Sequence, residues 1–296
     1  MRGVGETEFL QSIVGPVAPV FAVLTQLGDV WLLVTTVTLL YWLGDRTPVV
    51  GDRIDRRRGA LLLALALGAL TVTTGLKELL AIPRPPGAGT AVAAEIVPPA
   101  LRPVYEGAAT GDGFGFPSGH ALGTTVVWGG LAWLADGDRK RHLALAAGVV
   151  ATVCLSRLVL GVHYAVDVLA GMVVGAAYLA GVLRYAGTPS RAFAVAAVVA
   201  LVSTLTNGFT PDGTRLLGAT LGAVGAWYVV GDPTTRLPST VRRRRLAAVG
   251  LPVVGLAFVA LETVPAPLWV AFVGYAALLV VLLALPLAVA RATKNE

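Results

Sequence analysis

The sequence predicts an all-α fold, a polytopic integral-membrane helix bundle. Three observations carry that prediction. Of 296 residues, 56% are hydrophobic and 14% charged, with a mean hydropathy of +0.77. A soluble domain carries about a quarter charged residues. Apolar runs near the ~20 residues needed to cross a bilayer recur along the chain. The basic residues fall in alternate connectors, as positive-inside orientation requires. The same composition excludes intrinsic disorder. The net charge of +6 and pI of about 9.8 reflect loop asymmetry, and no nucleic-acid-binding signature or partner accompanies them.

About nine transmembrane helices are expected, over 29–43, 59–81, 118–135, 142–161, 163–185, 191–208, 214–230, 246–262 and 267–290. The stretch 9–27 is apolar but holds Gln11, Pro16, Pro19 and Gln26. A tenth span, a re-entrant segment and an interfacial helix all fit it. The N-terminus lacks a cationic stretch running directly into an apolar one, so no cleaved signal peptide is expected. Single Cys154 excludes an intrachain disulfide and a cysteine zinc site.

Connector charge gives the orientation. Seventeen of the 23 basic residues fall in or beside 44–58, 136–141, 186–190, 231–245 and the C-terminal tail. They are Arg46, Arg53, Arg56 to Arg58, Arg139, Lys140, Arg141, Arg184, Arg191, Arg236, Arg242 to Arg245, Arg291 and Lys294. That side is expected to be cytoplasmic, in a multi-pass protein of the cell membrane with a cytoplasmic C-terminus. Lys77, Arg84, Arg102, Arg157 and Arg215 lie on the external side. One external connector, 82–117, is long, holds seven prolines and six glycines, and shows no plausible helix. Connectors of that length are commonly functional or disordered.

Ionisable residues near spans are functional candidates. Lys77 lies close to the end of the second span, and Arg84-Pro85 follow after six residues. Pro117-Ser118-Gly119-His120 opens the third. Proline and serine suit a helix start, whose free amides bind anions, and Gly119 admits an anion close to the backbone. Ser156 and Arg157 end the fourth span, His163 begins the fifth, and Asp167 stands one helical turn later. A carboxylate at that spacing fixes an imidazole's tautomer and leaves its free nitrogen a better base or nucleophile.

Each element alone has a structural explanation: a snorkelling lysine, a serine cap, a His–Asp pair at a helix start. Helix alternation puts all three on the external face, which independent structural roles do not require. Three cations, a helix N-terminus and two histidines suit a phosphate ester: the cations and amides stabilise the transferring group, one histidine attacks phosphorus, and the other protonates the leaving oxygen. No carboxylate cluster offers a magnesium site, so neither metal nor cofactor is expected.

Lys77-(six residues)-Arg84-Pro85, Pro117-Ser118-Gly119-His120 and Ser156-Arg157-(five residues)-His163-(three residues)-Asp167 resemble the three signature motifs of the type 2 phosphatidic acid phosphatase and vanadium haloperoxidase superfamily. The resemblance covers about Gly59 to Tyr185. It implies that His163 is the nucleophile forming a phosphohistidine, Asp167 its orienting partner and His120 the general acid. Lys77, Arg84, Ser118, Gly119 and Arg157 would hold the phosphate oxygens. It further implies a helical phosphatase-like core acting, without metal, on lipid phosphates or prenyl diphosphates. The chain then divides into 1–58, an apolar segment and the first span; 59–185, the core; and 186–296, additional spans with no matching motif.

The leading expectation is a membrane lipid phosphatase at the external face, with membrane lipids around it. Two alternatives accompany it. A phosphotransferase would pass the same phosphoryl group to an alcohol. A lipid transporter or scramblase would use the C-terminal helices, although no clear paired repeat marks them and Ser203, the polar candidate within them, reads as a packing residue.

Overall fold

The computed structural model describes the backbone of residues 3, 5–44, 53–230 and 240–292, and their side chains except at 230, 240–244 and 290–292. Of the basic residues named above, Arg46, Arg236 and Lys294, and the side chains of Arg242 to Arg244 and Arg291, lie outside the described residues. The described residues form helices and no strand: α1 Glu6–Val14, α2 Ala18–Leu24, α3 Val30–Leu43, α4 Arg56–Leu80, α5 Arg102–Ala109, α6 Gly119–Leu134, α7 Arg139–Val159, α8 Ala165–Tyr185, α9 Pro189–Asn207, α10 Pro211–Val230, α11 Thr240–Thr263 and α12 Leu268–Ala292.

Seven described segments are long and apolar enough to cross a membrane: Glu6–Gly28, Arg56–Leu80, Arg139–Val159, Ala165–Tyr185, Pro189–Asn207, Arg245–Thr263 and Leu268–Val289. The expected count of nine is not reproduced. The span expected at 29–43 is the 14-residue α3, and that at 118–135 is the 16-residue α6. The span expected at 214–230 lies in α10, where Asp212, Arg215 and four glycines dilute the apolar character. The stretch 9–27 falls within Glu6–Gly28, where Pro16 and Pro19 stand in the opening turns of short helical pieces.

The connector 82–117 corrects a second expectation, because it contains helix. Two tight turns at Ala94–Ile96 and Pro99–Leu101 lead into α5. Pro103 sits in the first turn of α5, where its missing N–H removes no helical bond. Tyr105 and Ala109, one helical turn apart, are buried with Ala18, Ala22, Leu160 and Val162. Tyr105 donates its hydroxyl to the Val92 carbonyl. Proline and glycine counts concealed this apolar face.

The chain forms two compact units. The first comprises Met1–Leu33, Leu76–Trp133 and Asp138–Ala180, and contains every candidate site residue. In it, α8 approaches α6 through Gly171 and Gly175. A Cβ at Gly171 would lie 2.5 Å from the Ser118 carbonyl oxygen, and one at Gly175 2.9 Å from that of Leu122. Small residues four apart permit this contact between apolar helices.

The second unit comprises Val34–Gly75, Leu134–Gly137 and Gly181–Glu296. Its α12 contains Pro286, which cannot donate to the Leu282 carbonyl one turn back. Trp42 Nε1 donates to that oxygen instead, at 2.9 Å, and Tyr41 Oη donates to the Leu283 carbonyl at 2.7 Å. Trp42→Phe keeps an aromatic ring, though a smaller one, and orphans Leu282 O. The expected loss is about 1–3 kcal/mol, the cost of a buried unsatisfied carbonyl. A lower thermal midpoint in detergent checks it; an unchanged midpoint would show that the indole bond does not hold α12.

Candidate active site

The site is built on the break between α7 and α8. Gly161 takes φ +69°, the left-handed conformation that ends helices, and its N–H donates to Leu158 O at 3.0 Å. Val162 N–H then donates to Arg157 O at 3.2 Å. This turn sets His163 in the connector just before α8.

His163 is 1% exposed and Asp167 fully buried, with Nδ1 and Oδ2 3.6 Å apart. That exceeds hydrogen-bond length, as happens at catalytic pairs before substrate binds. The Tyr164 N–H donates to the same Asp167 oxygen at 3.0 Å and fixes the carboxylate. On the other side of the ring, Arg84 Nη1 lies 3.0 Å from Nε2. Guanidinium only donates, so Nε2 is the acceptor and the proton resides on Nδ1, toward Asp167. Burial, followed by the charges of Arg157, Arg84, Lys77 and His120, holds the His163 pKa well below 6.5. The ring is therefore neutral at neutral pH.

Arg84 is held by backbone. Nε donates to Asp112 O at 2.7 Å and Nη1 to Val162 O at 3.0 Å. The two ends of 82–117 close around it: Gly115 N–H donates to Ile82 O at 2.8 Å and Gly111 N–H to Ala88 O at 2.9 Å. A Cβ at Gly111 would stand 2.8 Å from the Arg84 Cζ, so glycine is needed where the returning strand of loop passes the guanidinium.

Ser118 is fully buried, and its N–H donates to Asp167 O at 2.9 Å, joining the start of α6 to the first turn of α8. Its Oγ is 3.5 Å from the Ala121 N–H, the outer limit of a cap contact. Gly119 opens α6 beside it. Arg157 is 3% exposed. Its Nη1 donates to Thr25 Oγ1 at 3.3 Å, while its buried Nε has no hydrogen-bond partner among the described residues. Lys77, in the last turn of α4, acts on His163 through its charge.

His120 and His163 are thus both present, but only His163 has the carboxylate foreseen for it. His120 Nε2 lies 3.6 Å from Oδ2 of Asp29, a residue the sequence reading passed over as the start of a span. Its signal was available: helix alternation puts Asp29 at the same end of the bundle as Lys77 and His120. Thr25, likewise unforeseen, touches Arg157 through the same segment.

These elements can bind an anion among Arg84, Arg157, Lys77 and the amides opening α6, beside an unprotonated imidazole nitrogen. Residues 59–191 match the model of the PAP2 superfamily. No curated protein and no solved structure shows a match. Members of that superfamily are generally phosphatases, and the membrane-type helices described above accompany the match. Over residues 59–191, somewhat less than half of its length, the chain is similar to the PAP2 superfamily.

Proposed function

We propose that this chain is an integral-membrane, metal-independent lipid phosphatase acting at the external face on a lipid phosphate or prenyl diphosphate through a phosphohistidine. One observation carries the reading: the His163 ring is held between Asp167, which faces Nδ1, and the Arg84 guanidinium, which faces the acceptor Nε2, in a site that also holds the buried Arg157. The external placement rests on the charge asymmetry of the connectors.

The chemistry takes two steps. Phosphate oxygens replace His163 Nε2 as acceptors for Arg84 and engage Arg157, Lys77 and the amides at Ser118 and Gly119. His163 Nε2 attacks phosphorus while the bond to the leaving oxygen breaks, and that oxygen takes a proton from His120. The Nδ1–H of the now cationic ring faces Asp167, whose charge stabilises it. Water then gives a proton to His120 and attacks phosphorus, the N–P bond breaks, and its electron pair returns to His163.

Detergent-purified protein is expected to release inorganic phosphate from at least one of phosphatidate, phosphatidylglycerol phosphate and a prenyl diphosphate, with chelator present. A colorimetric phosphate assay measures it. No release from any of the three would refute the reading; loss of release with chelator would refute its metal independence.

A further inference from the structure

The segment joining α2 to α3 is fastened to the site at four successive points. Thr25 Oγ1 accepts from Arg157 Nη1 at 3.3 Å. Leu27 O accepts from Trp128 Nε1, on α6, at 2.9 Å. Gly28 is buried, and a Cβ there would lie 2.6 Å from Val153 Cγ1 on α7. Asp29 follows, its N–H donating to Gln26 O at 3.0 Å and its Oδ1 accepting from Trp31 N–H at 3.3 Å as the cap of α3. Its other carboxylate oxygen, Oδ2, is 3.6 Å from His120 Nε2. Capping therefore occupies one oxygen and fixes the carboxylate, leaving the second for the imidazole.

We propose that Asp29 is the positioning residue of His120, so that the site holds two His–Asp pairs, His163–Asp167 and His120–Asp29. This rests on the phosphatase reading above and deepens it. Oδ2 faces Nε2, so the proton there is retained and the other ring nitrogen exchanges with substrate. While His120 is an imidazolium, that nitrogen gives its proton to the leaving oxygen as the P–O bond breaks. The neutral ring keeps its Nε2–H toward Asp29 and later takes a proton from the attacking water. Without the carboxylate, the charges of Arg157 and Lys77 that act on His120 stand unopposed, and the cationic acid is disfavoured.

The role predicts a dependence on the leaving group that a structural role does not. An alkoxide leaves only with a proton; nitrophenolate leaves without one. Asp29→Asn and Asp29→Ser each preserve an N-cap and remove the charge. Each is expected to lower kcat on phosphatidate about 100-fold and on p-nitrophenyl phosphate by less than about 5-fold, with KM little changed. Asp29→Glu is expected to restore much of the loss. Equal losses on the two substrates, no loss on phosphatidate, or failure of both cap-preserving variants to elute as the wild type does would overturn the assignment. Wild-type protein that cleaves neither substrate would overturn the phosphatase reading with it. Wild type that cleaves both, alongside variants without the split, would overturn the Asp29 role alone.

Discussion

His163→Ala is expected to reduce phosphate release by at least about a thousandfold, because the variant has no atom to form the bond to phosphorus. The ring is buried and neutral, its Nε2 fixed as an acceptor by Arg84 and its Nδ1 directed to Asp167. Of the two imidazoles in the site, His163 is the one whose free nitrogen lies against the Arg84 guanidinium. Lys77, Arg84 and Arg157 act as cations, and His120 faces Asp29. Brief incubation with labelled substrate followed by alkaline quench should trap an acid-labile phosphoenzyme in the wild type and none in the variant. The two readouts are independent. A variant retaining full activity refutes the mechanism. A variant that loses turnover while still becoming labelled transfers the nucleophile to another residue. The substitution removes a buried ring, so elution in detergent must match the wild type for the rate to be interpreted.

How much of this was legible in the sequence differs by residue. Lys77, Arg84, Ser118, His120, Arg157, His163 and Asp167 stood out because polar residues near helix ends in so apolar a chain are costly and few, and Gly119 because it admits an anion close to a helix start. Helix alternation put them on one face without any coordinates. Asp29 did not stand out, although the same rule applies to it. A single acidic residue opening an apolar helix has a sufficient explanation as a cap, and it does serve as one. Its second contact, across to α6, is a distance between segments about ninety residues apart in the chain, which no local pattern encodes. α5 was hidden for a different reason. Prolines and glycines around it signalled irregular backbone, whereas the helix depends on Tyr105 and Ala109 finding an apolar surface on α2. Among the described residues the count of nine is not reproduced where helices are short or glycine-rich. α6 stops at 16 residues, and α10 carries charges at its start.

Arg157→Met is expected to lower kcat about 100- to 1,000-fold, the range seen when one preorganised charge is taken from a transition state. Its effect on stability should run the other way. Arg157 is 3% exposed in the last turn of α7, with one bond to the Thr25 hydroxyl and a buried Nε lacking any partner among the described residues. A buried cation so incompletely satisfied destabilises the empty site, and an apolar chain of similar volume relieves that cost. The substrate-free variant is therefore expected to unfold at a higher temperature than the wild type, although it is nearly inactive. Inorganic phosphate separates this from a general packing gain. It binds only the folded site, so it should raise the wild-type midpoint in proportion to its occupancy and leave that of Arg157→Met almost unmoved. Arg157→Lys should fall near Arg157→Met in rate, because a single ammonium cannot bond Thr25 and a phosphate oxygen from the same fixed plane. A variant that keeps wild-type activity, or one that phosphate stabilises as strongly as the wild type, would remove Arg157 from the phosphate site and leave its burial to be explained by packing against the segment around Thr25.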